Sequence, residues 1–202
     1  VCNKRPVYPE GFVQTNIGEL SARISGTEKA DDYLLRGGFY LSSGDYPAAI
    51  ADFSAITARE PDNLLALFNL ANARMMMYDY IESVDDKTPR VVGERPNEIR
   101  KVDYSLVLEG YRRCLEIDPD FVFARFNIGN VYAKNGEIDK AIEAYTQVIR
   151  QDRELAEAYF NRGLLYIYIG QKAQASADLS KAGELGITSV YNIIKRYCRE
   201  EE

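Results

Sequence analysis

The sequence contains no histidine. Mechanisms that need imidazole are thereby excluded, including Ser-His-Asp and Cys-His nucleophiles and His-ligated zinc. Cysteine is scarce. Cys2, Cys114 and Cys198 are odd in number and far apart, so they make neither a disulfide framework nor a CxxC metal site. Cys114 and Cys198 fall among apolar helical positions and read as small core residues. Basic excess is also lacking: the formal net charge is −6 and no Lys/Arg cluster offers a nucleic-acid footprint. No apolar run approaches the roughly 18 residues of a spanning helix, so no membrane insertion is expected. Neither GxGxxG nor GxxxxGK[ST] occurs. No cofactor, metal or catalytic residue is expected, and the scattered carboxylates read as solvated helix faces rather than an acid/base couple. The chain opens VCNKRPVYPEGF, without an initiating Met or a secretory leader, which makes a mature form or an excised piece the expectation. Localisation stays open between the cytoplasm and, for a chain that has lost an export leader, the periplasm or exterior.

What is present is repetition. The 202 residues are 46% apolar and 28% charged, the balance of a soluble domain or repeat array with ample core. Four segments align. A small residue recurs at Gly37, Ala71, Gly129 and Gly163, with Tyr40, Arg74, Tyr132 and Tyr166 three residues on and Gly44, Tyr78, Gly136 and Gly170 seven on. Ala49, Val107, Ala141 and Ala175 follow, each four residues before Phe53, Tyr111, Tyr145 or Leu179. The first and last spacings of the small residue are 34; the middle one is 58, which is 34 plus an insertion of 24. Apolar residues recur every three or four positions through AAIADFSAI and KAIEAYTQVI, and the turn signals SSGDYP, EPDN, DPD and KNGE bound them. Each unit is therefore a helix, a turn and a second helix. One such hairpin cannot hide its apolar face alone, so copies must stack.

The stretches LLRGGFYLSSGDYPAAIADFSAITAREP, LFNLANARMMMY with VLEGYRRCLEIDP, FNIGNVYAKNGEIDKAIEAYTQVI and FNRGLLYIYIGQKAQASADLSKA resemble tetratricopeptide (TPR) repeats over about residues 30 to 187. The resemblance implies an all-α fold, a right-handed α-α superhelix of about four helix hairpins with a C-terminal capping helix. Arg153 and Ile187 depart from the proline that usually ends such a repeat, as Pro61 and Pro119 do here.

Residues 1–29 are expected as an extended, irregular segment, with a short helix in IGELSARI and Thr27 capping the first repeat helix ahead of Glu28. Repeats follow at 30–63, 64–121, 122–155 and 156–188, and the second carries an insertion at about 79–101. Within it, residues 79–84 are expected to extend the first helix, and a lengthened second helix is expected to start at Asn97. A protruding contact arm and a tolerated surface loop are both open for the rest. Residues 189–202 are expected to form the capping helix, with Val190, Ile193, Ile194 and Tyr197 on one side.

Two groups of residues stand out. Arg36 and Arg162 precede the small glycine in the units that carry Asp52 and Asp178 sixteen residues later; the other units have Leu70 with Gly110 and Ile128 with Ala144. Arginine and aspartate occur together or not at all, which predicts structural ion pairs. The TPR resemblance implies a concave groove lined by the first helix of each hairpin. Carried over, it assigns Phe68, Asn69, Asn72, Phe123, Phe126, Asn127, Asn130, Glu157, Phe160, Asn161 and Tyr168 to peptide binding. Asn69, Asn127 and Asn161 stand at equivalent points, where an amide ladder would pair with the main chain of an extended peptide or bond neighbouring helices. The basic clamp that some TPR proteins use for a C-terminal carboxylate needs Lys where this chain has Leu34, Phe68, Phe123 and Glu157. The functional expectation is a non-catalytic scaffold for a protein or peptide partner. The alternatives are a targeting portion of a longer enzyme and a self-associating assembly component, with the oligomeric state undetermined.

Overall fold

The computed structural model describes residues 8–9, 11–85 and 102–198. The described residues contain ten helices and no strand, and they fall into two compact units, α1–α5 and α6–α10.

In the first unit, α2 (Ala30–Ser43) and α3 (Tyr46–Arg59) make the first hairpin, and α4 (Leu64–Asp85) and α5 (Ser105–Ile117) the second. Gly44 turns the first at φ 82°, a left-handed conformation that costs glycine little, and its N–H returns to the carbonyls of Tyr40 and Leu41. Asp45 then caps α3 by accepting the Ala48 N–H at 3.2 Å, with Pro47 in the first turn. Asn63 caps α4 in the same way through the Ala66 N–H. Ala49, Phe53, Ile56, Ala66, Leu70 and Ala73 form one buried cluster across α3 and α4. Fully burying a side chain the size of Phe53 contributes about 2–3 kcal/mol.

Three expectations are corrected here. The N-terminal segment is not irregular throughout, because α1 runs from Phe12 to Thr27 and buries Leu20 and Ile24. Thr27 ends that helix and Glu28 adopts φ 48° after it; Lys29, not Thr27, precedes α2. Residues 79–84 do extend α4, which reaches Asp85, but α5 begins only at Ser105. Asp103 accepts the Ser105 N–H at 2.9 Å, and the hydrogen bonds from Ser105 hold its carboxyl below the usual range. Asn97 and the remainder of the insertion, 86–101, lie outside the described residues.

The second unit contains the hairpins α6 (Val122–Lys134) with α7 (Ile138–Gln151) and α8 (Ala156–Tyr168) with α9 (Lys172–Glu184), followed by α10 (Val190–Tyr197). Gly129 and Gly163 sit where the paired helices come closest. A Cβ added to Gly129 would lie 2.7 Å from the Tyr145 ring, and one on Gly163 would lie 2.9 Å from Leu179. Helix α10 seals the last hairpin: Val190 is buried with Leu179 and Ala182, and Ile193, Ile194 and Cys198 pack around them. Cys114, in the first unit, is fully buried, and burial pushes its thiol up to about 11.

Candidate tetratricopeptide groove and its bracing

Arg36 reaches Asp52 with two parallel hydrogen bonds, Nε to Oδ2 at 2.9 Å and Nη2 to Oδ1 at 2.6 Å. Its Nη1 donates to Ser21 Oγ on α1 at 2.9 Å. Arg162 repeats the arrangement in the other unit. Nε and Nη2 bind Asp178 at 2.7 and 2.8 Å, and Nη1 donates to Thr146 Oγ1 on α7 at 2.8 Å. Ser21 and Thr146 each pass their own proton to the carbonyl four residues earlier, Ile17 and Ile142. Each arginine therefore ties three helices together. These bonds to aspartate hold the Arg36 and Arg162 guanidinium groups above their ordinary range, partly opposed by burial. Helix α1, placed by the same bond as α7, thus stands to α2 as the second helix α7 stands to α8. The hydroxyl was missed in the sequence because the Arg36–Ser21 separation is 15 residues where Arg162–Thr146 is 16, which breaks the register.

The asparagines are held by a second device. Tyr111 donates its hydroxyl to Asn72 Oδ1 at 2.7 Å, and Tyr145 donates to Asn130 Oδ1 at 2.7 Å. The signal was present: the two repeats that carry Asn after the small residue carry Tyr on the second helix, while Gly38 goes with Phe53 and Leu164 with Leu179. Asn161 Nδ2 donates to Asn130 Oδ1 at 2.9 Å, bridging α8 to α6, and Asn130 Nδ2 donates to Asn127 Oδ1 at 3.2 Å. Burial pushes the Tyr145 hydroxyl up to about 12, with the Asn161 amide pulling the other way. Asn69 is half-buried on α4.

The aromatic residues divide by exposure. Phe68 and Phe126 are half-buried against Tyr111 and Tyr145, with ring centroids 5.9 and 5.6 Å apart. Phe160 belongs to the cluster under α10, and Glu157 is half-buried. Phe123 and Tyr168 are 52% and 77% exposed, at the two ends of the stripes that pass through Asn130 on α6 and Asn161 on α8. No described group of His, Cys, Asp and Glu is arranged to hold a metal, and no described helix is long and apolar enough to cross a membrane.

Family models described as TPR repeat or tetratricopeptide repeat match residues 40–76, 111–143, 129–170 and 156–185. The chain belongs to the tetratricopeptide repeat family. Its all-α hairpins are therefore TPR hairpins, and the fold class is the TPR solenoid. Among curated relatives, photosystem I assembly protein Ycf3 of Acaryochloris marina is 32% identical over 83 residues, 40% of this chain and 50% of that protein. A UDP-N-acetylglucosamine–peptide N-acetylglucosaminyltransferase of Giardia intestinalis is 30% identical over 81 residues, 40% of this chain and only 6% of that enzyme. The chain thus spans half or less of the length of these relatives. A crystal structure of MamA matches with a TM-score of 0.69 at 20% identity, covering 92% of this chain and 99% of that one, which shows a shared fold.

Proposed function

We propose that this TPR protein is a non-catalytic scaffold that holds an extended segment of a partner protein along the first helices α6 and α8. The observation that carries the proposal is the pairing of a pinned polar centre with exposed aromatic ends. Asn161 and Asn130 are locked to one another and to Tyr145, so their amides are pre-organised. Phe123 and Tyr168 expose 52% and 77% of their surface on the same stripes. Asn161 Oδ1, which accepts no bond among the described residues, is left for a main-chain N–H of an extended peptide, and aromatic anchors supply most of the affinity in interfaces of this kind. Pre-ordering matters because ordering costs otherwise consume binding energy. The name of Ycf3 describes assembly of a complex, and a role in bringing proteins together is the reading that the TPR family favours for this chain.

A displayed library of random peptides, selected on the wild-type protein, tests it. Selected peptides are expected to lose at least about tenfold in affinity on a Phe123→Ala/Tyr168→Ala double variant, equivalent to about 1.4 kcal/mol. The variant should melt with the wild type, since both rings are exposed. Peptides that bind both proteins equally, or no enrichment at all, would overturn the assignment.

A further inference from the structure

The two arginine braces share a register, and that register continues into α10. Helix α8 begins at Ala156 and α10 at Val190, 34 residues later. Arg196 stands 34 residues after Arg162, and Ser180 stands 34 residues after Thr146. An arginine on a first helix and a hydroxyl residue on the helix before it therefore stand at the register positions of a third brace, without the bond that joins them in the other two. The carboxylate is missing. Arg196 is exposed, lies over the Tyr197 ring at 5.2 Å, and has no carboxylate partner among the described residues.

The complementary half sits on α1. Ser21 makes the same bonds as Thr146, which places α1 as a second helix. The brace aspartate lies two positions before the hydroxyl position of its helix, as Asp178 lies before Ser180. On α1 that position is Glu19. It is exposed and has no cation partner among the described residues, whereas Arg23, one turn later, is engaged with buried Asp32.

We propose that α10 of one molecule and α1 of a second copy form a composite hairpin, in which Arg196 pairs with Glu19 of the second copy beside Ser180. The contact joins different surfaces of the two copies, so it is heterologous and propagates head to tail. It is looser than the hairpins inside the chain. Tyr197 stands where Gly129 and Gly163 admit a side chain of the paired helix. On the α1 side, Asn16 and Arg23 stand where α7 buries Ala141 and Val148. A wide, polar contact with one charge pair at its centre gives reversible, salt-sensitive association rather than a permanent assembly. This inference does not rest on the α6–α8 groove.

Sedimentation velocity of the whole chain, from about 1 μM to about 1 mM, reads it directly. The expected result is mass that rises with concentration past the dimer and falls when salt is added. Glu19→Arg and Arg196→Glu should each shift the association to at least about tenfold higher concentration. An equimolar mixture of the two variants should associate again, because each then meets an opposite charge. A folding defect cannot imitate that rescue, since neither variant regains its own fold from the other. A wild-type chain that stays monomeric overturns the proposal. So does a dimer without larger species, indifference to either substitution, or a mixture that fails to recover.

Discussion

Removing the Asp178 carboxylate should cost far more stability than breaking an equally short ion pair on the surface. Arg162 and Asp178 expose only 15% and 10% of their side chains. With the carboxylate gone, a guanidinium that was bonded twice at 2.7 and 2.8 Å keeps only the Thr146 hydroxyl and the Tyr166 ring, whose centroid lies 5.8 Å away. Breaking one side of a buried pair costs about 3–5 kcal/mol. The retained Thr146 bond and the partial exposure of Arg162 put Asp178→Ala at the lower end, about 3 kcal/mol, a large part of the 5–15 kcal/mol typical of a whole domain. The internal control is Arg113, which lies 2.7 Å from both Asp62 and Glu116 but is 46% exposed. Arg113→Ala should cost much less than Asp178→Ala, because water and side-chain entropy offset surface pairs. Thr146→Val should cost about 1–2 kcal/mol, because it removes both the bond from Arg162 and the hydroxyl's own bond to the Ile142 carbonyl. The double change Arg162→Met/Asp178→Leu should recover most of the loss, since no buried charge is stranded. Urea unfolding followed by helical circular dichroism measures all four as midpoint shifts at constant slope. An Asp178→Ala cost no greater than that of Arg113→Ala, or a double variant as unstable as the single one, would mean that no buried charge is stranded at this position.

Gly129→Ala should destabilise despite the better helix propensity of alanine. The new Cβ would stand 2.7 Å from the fully buried Tyr145 ring, and overpacking of about 1–3 kcal/mol outweighs a propensity gain of up to about 1 kcal/mol. A lower urea midpoint checks it. Tyr145 should also make stability fall in alkali. Its hydroxyl ionises near pH 12 when folded against 10.0 ordinarily, so the folded state holds the proton more tightly. That contribution is complete below pH 10 and is lost as pH rises toward 12, at up to about 1.4 kcal/mol per unit. Urea midpoints across this window should decline less steeply in Tyr145→Phe; some slope will remain because burial also raises the Tyr104 hydroxyl.

Local pattern alone specified the hairpins. Apolar period, turn residues and a fixed 34-residue spacing are properties of short stretches, and the close approach at Gly129 and Gly163 follows from them. The arginine and aspartate were legible as partners because each repeat is a separate trial of the same geometry. The tyrosine and asparagine co-occur just as strictly, yet asparagine has the same donors and acceptors whether it faces a ligand or a neighbouring helix, so composition did not separate the two roles. Only the packed structure showed Tyr111 and Tyr145 bonded to Asn72 and Asn130. Only packing, too, revealed α1 as a second helix. Its alignment to the repeat is displaced by one residue, and of its apolar stripe, Val13, Ile17, Leu20 and Ile24, only the last two are buried. A bond between Arg36 and Ser21 depends on where two helix axes lie in space, which no single helix period encodes.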